Sequence, residues 1–184
     1  MAISDVAVER RAANGATTGL FVCMGFGGLW IFIGLALWSA RPVWAMPLAA
    51  SFAAVMAVLT VARLGAFRAR VAAKAQPARP FTGPLYILIV ALEVLAIYGA
   101  VTRLPYDSHL QVFAMAAIVG LHFLPLAWLF RVPAYAVMGL GMMGWTALCL
   151  AIPDRVLGGL ATGLGMGAMF WGYAALALIG FNNR

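Results

Sequence analysis

Glu93, in the stretch YILIVALEVLAIYGA, is the only acidic side chain deep inside an apolar run of this chain, and aliphatic residues flank it for a turn on either side. A charge at the centre of a bilayer costs on the order of 3 kcal/mol, so an unpaired Glu there is expected to sit as the neutral acid. One other ionisable side chain lies at a compatible place: His122, in GLHFLPLAWLFR. Counted from Tyr106, in the polar break between the two runs, Glu93 is 13 residues back and His122 is 16 forward. That difference of three residues is about 4.5 Å of depth at the helical rise, so the two are expected to meet near the midplane. A Glu and a His within hydrogen-bond reach share a proton whose position responds to pH or to a bound ion, the basic requirement for proton coupling or cation binding. Tyr86, seven residues before Glu93, and Gln111, eleven before His122, extend the candidate ion- or substrate-binding track along the same seam. The competing account gives the pair a purely structural task, an interhelical hydrogen bond worth about 1 kcal/mol.

Pro125 follows His122 by three residues and takes away the backbone bond to Leu121. It predicts a helix kink and a carbonyl without its usual donor, available either to a ligand or to a packing neighbour.

The rest of the inventory excludes more than it suggests. The two histidines, His109 and His122, are separated by about 20 Å along a helix, so they do not bind the two faces of one haem. The sole lysine, Lys74, lies outside the apolar runs, which excludes a retinal Schiff base within them. There is no paired intramembrane aspartate, His-rich metal motif, glycine-rich nucleotide loop or nucleophile elbow. Cys23 and Cys149 fall in separate runs at different depths, which argues against a disulfide or a metal cluster and for small core-facing side chains. No catalytic set, metal or cofactor is expected, and the chain is read as something other than an enzyme.

These residues must be positioned by elements made for lipid. With 65% hydrophobic and 9% charged side chains in 184 residues, the chain has too much apolar surface to keep dry in a soluble globule of this size. Charge-poor runs of about 20 residues are the length of a membrane-crossing helix. Six occur, at 15–38, 43–62, 84–101, 111–130, 134–152 and 157–180. A barrel would need alternating polar and apolar residues that these runs lack. The expected fold is an all-α membrane protein, one polytopic domain of six transmembrane helices. The first run, after Arg10 and Arg11, is longer than a cleavable signal core and is read as a retained helix.

The formal charge of +7 follows topology. With the N-terminus cytoplasmic, Arg10, Arg11, Arg63, Arg68, Arg70, Lys74, Arg79, Arg131 and Arg184 fall inside, and Arg41, Arg103 and Arg155 fall outside. That nine-to-three split matches the bias that orients membrane proteins, so both termini are expected to be cytoplasmic and no nucleic-acid partner is needed. Residues 63–80 are expected to form a basic cytoplasmic loop against anionic lipid head groups, although Leu64, Phe67 and Val71 give its first half the spacing of a continued second helix.

Two hairpins echo one another: Trp38, Arg41, Pro42 and Trp44, then Trp128, Arg131, Pro133 and Tyr135. An inverted three-plus-three repeat would produce this, and so would the ordinary preference of aromatic and basic residues for membrane interfaces. Gly159, Gly163 and Gly167 recur every four residues, as do Gly15 and Gly19. Such stripes let helices approach closely, chiefly within the bundle; the long one also suits a homo-oligomer or a partner in a membrane complex.

The segment GLHFLPLAWLFRVPAY resembles an uncharacterised family of small bacterial six-helix inner-membrane proteins that carry a Gly-x-His-Phe-Leu-Pro-x-x-Trp-Leu stretch followed by Ala-Tyr. The matching positions are Gly120, His122, Phe123, Leu124, Pro125, Trp128, Leu129, Ala134 and Tyr135. The resemblance implies a multi-pass protein of the bacterial inner membrane and brings no activity with it. Two functions are therefore expected in competition: a small proton- or cation-coupled carrier using Glu93 and His122, and a structural or accessory subunit of a larger membrane complex. A lipid-modifying or lipid-sensing role for the basic stretch is weaker, because no catalytic set accompanies it.

Overall fold

The computed structural model describes residues 3–38, 40–73, 82–105 and 110–180. They form six helices: α1 (Ile3–Leu37), α2 (Ala45–Ala73), α3 (Thr82–Arg103), α4 (Leu110–Phe130), α5 (Pro133–Leu150) and α6 (Arg155–Ile179). All six are long and apolar enough to cross a membrane. The outer surface carries large apolar side chains, among them Val43, Ile87, Leu95, Val137 and Ile179. A soluble monomer does not expose apolar surface on this scale, and the arrangement is compatible with a multi-pass membrane protein.

Among the described residues, each helix packs against its successor except α2, which does not pack on α3. The centre of the bundle is α6, which packs against α1, α2, α4 and α5, while α3 packs on α4 alone. In a lipid surround, whose tails are as apolar as leucine, close packing rather than water exclusion would hold such helices together, and the glycines show where they come closest. A Cβ on Gly34 of α1 would lie 2.9 Å from the carbonyl oxygen of Leu160, and one on Gly163 of α6 would lie 2.6 Å from that of Trp30. Gly167 faces Ile31 and the backbone of Gly27, and Gly159 is also buried. The glycine stripe of α6 is thus occupied inside the chain, largely by α1. On the other side, Gly120 of α4 meets Gly139 of α5: a Cβ on Gly120 would lie 3.0 Å from the Gly139 carbonyl oxygen, and one on Gly139 would lie 2.5 Å from that of Gly120.

The helix ends follow local chemistry. Asp154 caps α6, its carboxylate accepting from the backbone N–H of Val156 at 2.8 Å and Leu157 at 3.1 Å. Gly180, at φ 86°, ends the same helix in the left-handed conformation. Between α4 and α5 the left-handed position is taken by Arg131, at φ 56°, and the N–H of Val132 returns to the carbonyl of Ala127 at 3.1 Å. This is the Schellman arrangement with a side chain where glycine is usual, and Pro133 then opens α5.

Residues 63–73, expected in a basic loop, are helix. They continue α2 because its spacing is that of an amphipathic helix: Phe67 is buried and Leu64 and Val71 pack against the core. The charged side chains reach across to neighbouring helices. Arg68 donates to the Asn14 side-chain oxygen at 2.8 Å, and Arg70 donates to the Leu178 carbonyl at the end of α6. Lys74 and Arg79 of the remaining loop, with Tyr106, His109 and Arg184, lie outside the described residues. Pro125 does not interrupt α4, which stays helical from Leu110 to Phe130. Pro125 and Leu121 are both on the exposed side of the helix, whereas His122 turns inward, so the carbonyl that proline frees belongs to the outer face.

Candidate functional site

Glu93 lies 11 residues into α3 and His122 lies 12 residues into α4, so each is about 16–18 Å from its helix start and near the middle of its span. The α3–α4 hairpin brings them together: His122 Nδ1 is 3.1 Å from a Glu93 carboxylate oxygen. Their side chains are only 10% and 16% exposed. The separation is that of an ion pair, but the carboxylate stands off the direction of the ring N–H, and Nδ1 makes no aligned hydrogen bond. A single proton shared by the two groups would give either of two net-neutral combinations, imidazolium with carboxylate or imidazole with carboxylic acid.

The other two predicted residues do not join them. Tyr86 is near the start of α3, about 10 Å along the helix from Glu93, and is substantially exposed; its ring contacts Phe130 at the end of α4, centroid to centroid 5.9 Å. Gln111 is at the opposite end of the hairpin, where its amide donates to the carbonyls of Val101 at 3.0 Å and Leu104 at 3.1 Å. It closes the C-terminus of α3, whose last carbonyls have no partners within the helix. The sequence places all four on one seam, but over a helix length only Glu93 and His122 share a depth.

Behind His122 is a cluster that the sequence did not single out. The Phe123 ring packs edge-on against His122 at 5.6 Å and against Tyr135 at 5.6 Å, and also meets Phe170 at 5.7 Å. Tyr135 of α5 and Tyr173 of α6 lie 5.3 Å apart between ring centroids. The Tyr135 hydroxyl rests over Gly19 of α1, where a Cβ would sit 3.5 Å away. Four helices thus converge on two phenols one aromatic layer from the ion pair. Tyr135 is two residues into its helix and read from sequence as an interface aromatic; the bareness of Gly19, which admits its hydroxyl, was the available signal.

Cys23 and Cys149 are buried and free. Among the described residues, no group of three or more His, Cys, Asp or Glu side chains is placed to hold a metal ion. Two concavities open elsewhere on the molecule, one at the α1–α2 turn and one between α1, α2 and α6, and neither is lined by Glu93 or His122. Comparison with models of known protein families, with curated proteins and with solved structures finds no match for this chain.

Proposed function

We propose that the protein is a small proton- or cation-coupled carrier of the bacterial inner membrane, oriented with both termini in the cytoplasm, in which Glu93 and His122 form the coupling site. The observation that carries this reading is the 3.1 Å approach of the two ionisable side chains at mid-span. Buried ionisable groups at that depth are costly and mark ion and proton pathways more often than their soluble counterparts do. The attachment of α3 supports the same reading. It packs on α4 alone and has no fully buried residue, so parting α3 from α4 is the least costly way to open the pair. A carrier of this kind exposes Glu93 to one side and then the other while the rest of the bundle stays fixed.

Glu93→Gln tests the proposal. Purified protein in liposomes loaded with a pH-sensitive dye is expected to pass protons or a monovalent cation down an imposed gradient, and Glu93→Gln, nearly isosteric, is expected to cut that flux at least tenfold while the protein remains monodisperse. Equal flux through the wild type, the variant and empty liposomes would remove the carrier.

The peripheral position of α3 also supports a second reading, an accessory subunit that presents the outer face of α3 to a larger complex. The Glu93–His122 pair is then a latch between two helices. In that case Glu93→Gln leaves flux at background, lowers thermal stability and releases a co-purifying partner.

A further inference from the structure

From the groove between α1, α2 and α6 we infer a binding site for one acyl chain of an anionic glycerophospholipid, with Arg41 at the head group. The site is independent of the Glu93–His122 pair.

The groove is a cavity of about 180 Å³ bounded by Gly28 and Phe32 of α1, by Ala49, Ala50 and Ala53 of α2, and by the ring of Trp171. It exists because α1 carries no side chain at Gly28 and α2 presents methyl groups at three successive facing positions. Even a Cβ on Gly28 would stop 3.8 Å from the Trp171 ring. Trp171 is 5% exposed and its indole N–H is already spent on the Met24 carbonyl at 3.0 Å, so the floor it offers is hydrocarbon in character. Phe52 packs on the same ring at 5.1 Å between centroids. No lining side chain carries a free donor or acceptor, which selects a hydrocarbon chain over a polar solute.

Length and charge select the occupant further. Gly28 is nine residues before the end of α1 and Ala53 eight after the start of α2, so the groove reaches about 12–14 Å into the span. That is the hydrocarbon depth of one leaflet, half of about 30 Å. Met46 lines both this groove and a second cavity, of about 390 Å³, at the α1–α2 turn, where Arg41, Pro42 and Val43 form the wall. The two therefore adjoin at Met46, with the apolar trough on one side and the basic mouth on the other. Arg41 is exposed and uses one N–H toward the Trp38 carbonyl at 3.4 Å. A guanidinium has five donors in a fork that suits phosphate oxygens, and this one stands at head-group level.

The test uses the full chain, purified in detergent with equal phosphatidylglycerol and phosphatidylcholine and examined by native mass spectrometry. The wild type is expected to keep one phosphatidylglycerol in preference to phosphatidylcholine. Arg41→Gln is expected to reduce that preference about fivefold, the increment of one basic residue at a lipid surface. Ala50→Leu, which fills the trough, is expected to abolish retention of both lipids, whereas Ala54→Leu, exposed on α2 and outside the trough, is expected to change nothing. Ala49→Leu provides a second occlusion should Ala50→Leu not fold. The inference is overturned if the two lipids are retained equally, if Arg41→Gln leaves the preference intact, if a folded occluded variant keeps its lipid, or if a second copy of the chain is bound in the lipid's place.

Discussion

Glu93 and His122 are tied to opposite surroundings. His122 leans on Phe123, which is buried and in ring contact with α5 and α6, while Glu93 rides on a helix with no buried residue. The histidine is therefore the more heavily packed half of the pair and the carboxylate the less packed. Its energetic coupling is open to measurement by a double-mutant cycle of Glu93→Gln and His122→Gln in detergent unfolding. An aligned interhelical hydrogen bond in lipid is worth about 1 kcal/mol. The off-axis contact here is expected to give about half of that or less, and a coupling well above 1 kcal/mol would mean the pair is chiefly a structural latch. Counting residues outward from a hairpin was enough to bring these two to one depth, because antiparallel helices of equal rise have only one register. Tyr86 and Gln111, chosen by their spacing along the same seam, lie toward opposite ends of it and not at the depth of the pair. Gln111 answers to the unsatisfied carbonyls of α3, a demand visible only when the end of that helix is known.

At the scale of elements, the six spans were legible because uninterrupted apolar runs of bilayer length have few alternatives. What hydropathy did not settle was the end of α2. Its basic residues looked like loop, yet charged side chains on one face do not stop a helix whose other face, Leu64, Phe67 and Val71, is wanted by the core. Neighbour relations were also hidden, since a glycine stripe says that something comes close and not which helix it is. The α1–α6 contact makes a sharp prediction. Gly163→Ala places a methyl group 2.6 Å from the Trp30 carbonyl, a backbone atom that cannot swing aside. Overpacking of this kind costs about 1–3 kcal/mol, and the variant is expected to unfold at correspondingly lower temperature. Gly172→Ala, on the same helix with nothing within 4 Å of the new Cβ, is expected to match or slightly exceed the wild type.

For the whole molecule, the nine-to-three split of basic residues is the basis of the proposed orientation, which is open to test. The two native cysteines are buried, so single cysteines introduced at the surface report topology without interference. In intact cells, Ala75→Cys in the basic segment is expected to resist a membrane-impermeant maleimide until the cells are opened. Val43→Cys, at a position 93% exposed on the opposite end, is expected to react at once. The reverse pattern would invert the orientation and place the Arg41 mouth in the cytoplasmic leaflet.

The intimate pairing of α1 with α6 has a bearing on biosynthesis. α1 leaves the ribosome before α6, with more than a hundred residues between them. At about 5–20 residues per second, α1 waits on the order of ten seconds with Gly27, Gly34 and the ring of Trp30 turned toward lipid. During that interval α2 is its sole packed neighbour in the finished arrangement, and the nascent bundle is an open chain of hairpins. A chain stopped after residue 152 is therefore expected to insert all five remaining helices and still be degraded rapidly in cells, whereas co-expression of α6 as a separate segment is expected to restore its lifetime. Assembly of this bundle is a closing of α1 on α6, and its quality control is expected to read whether that closure has happened.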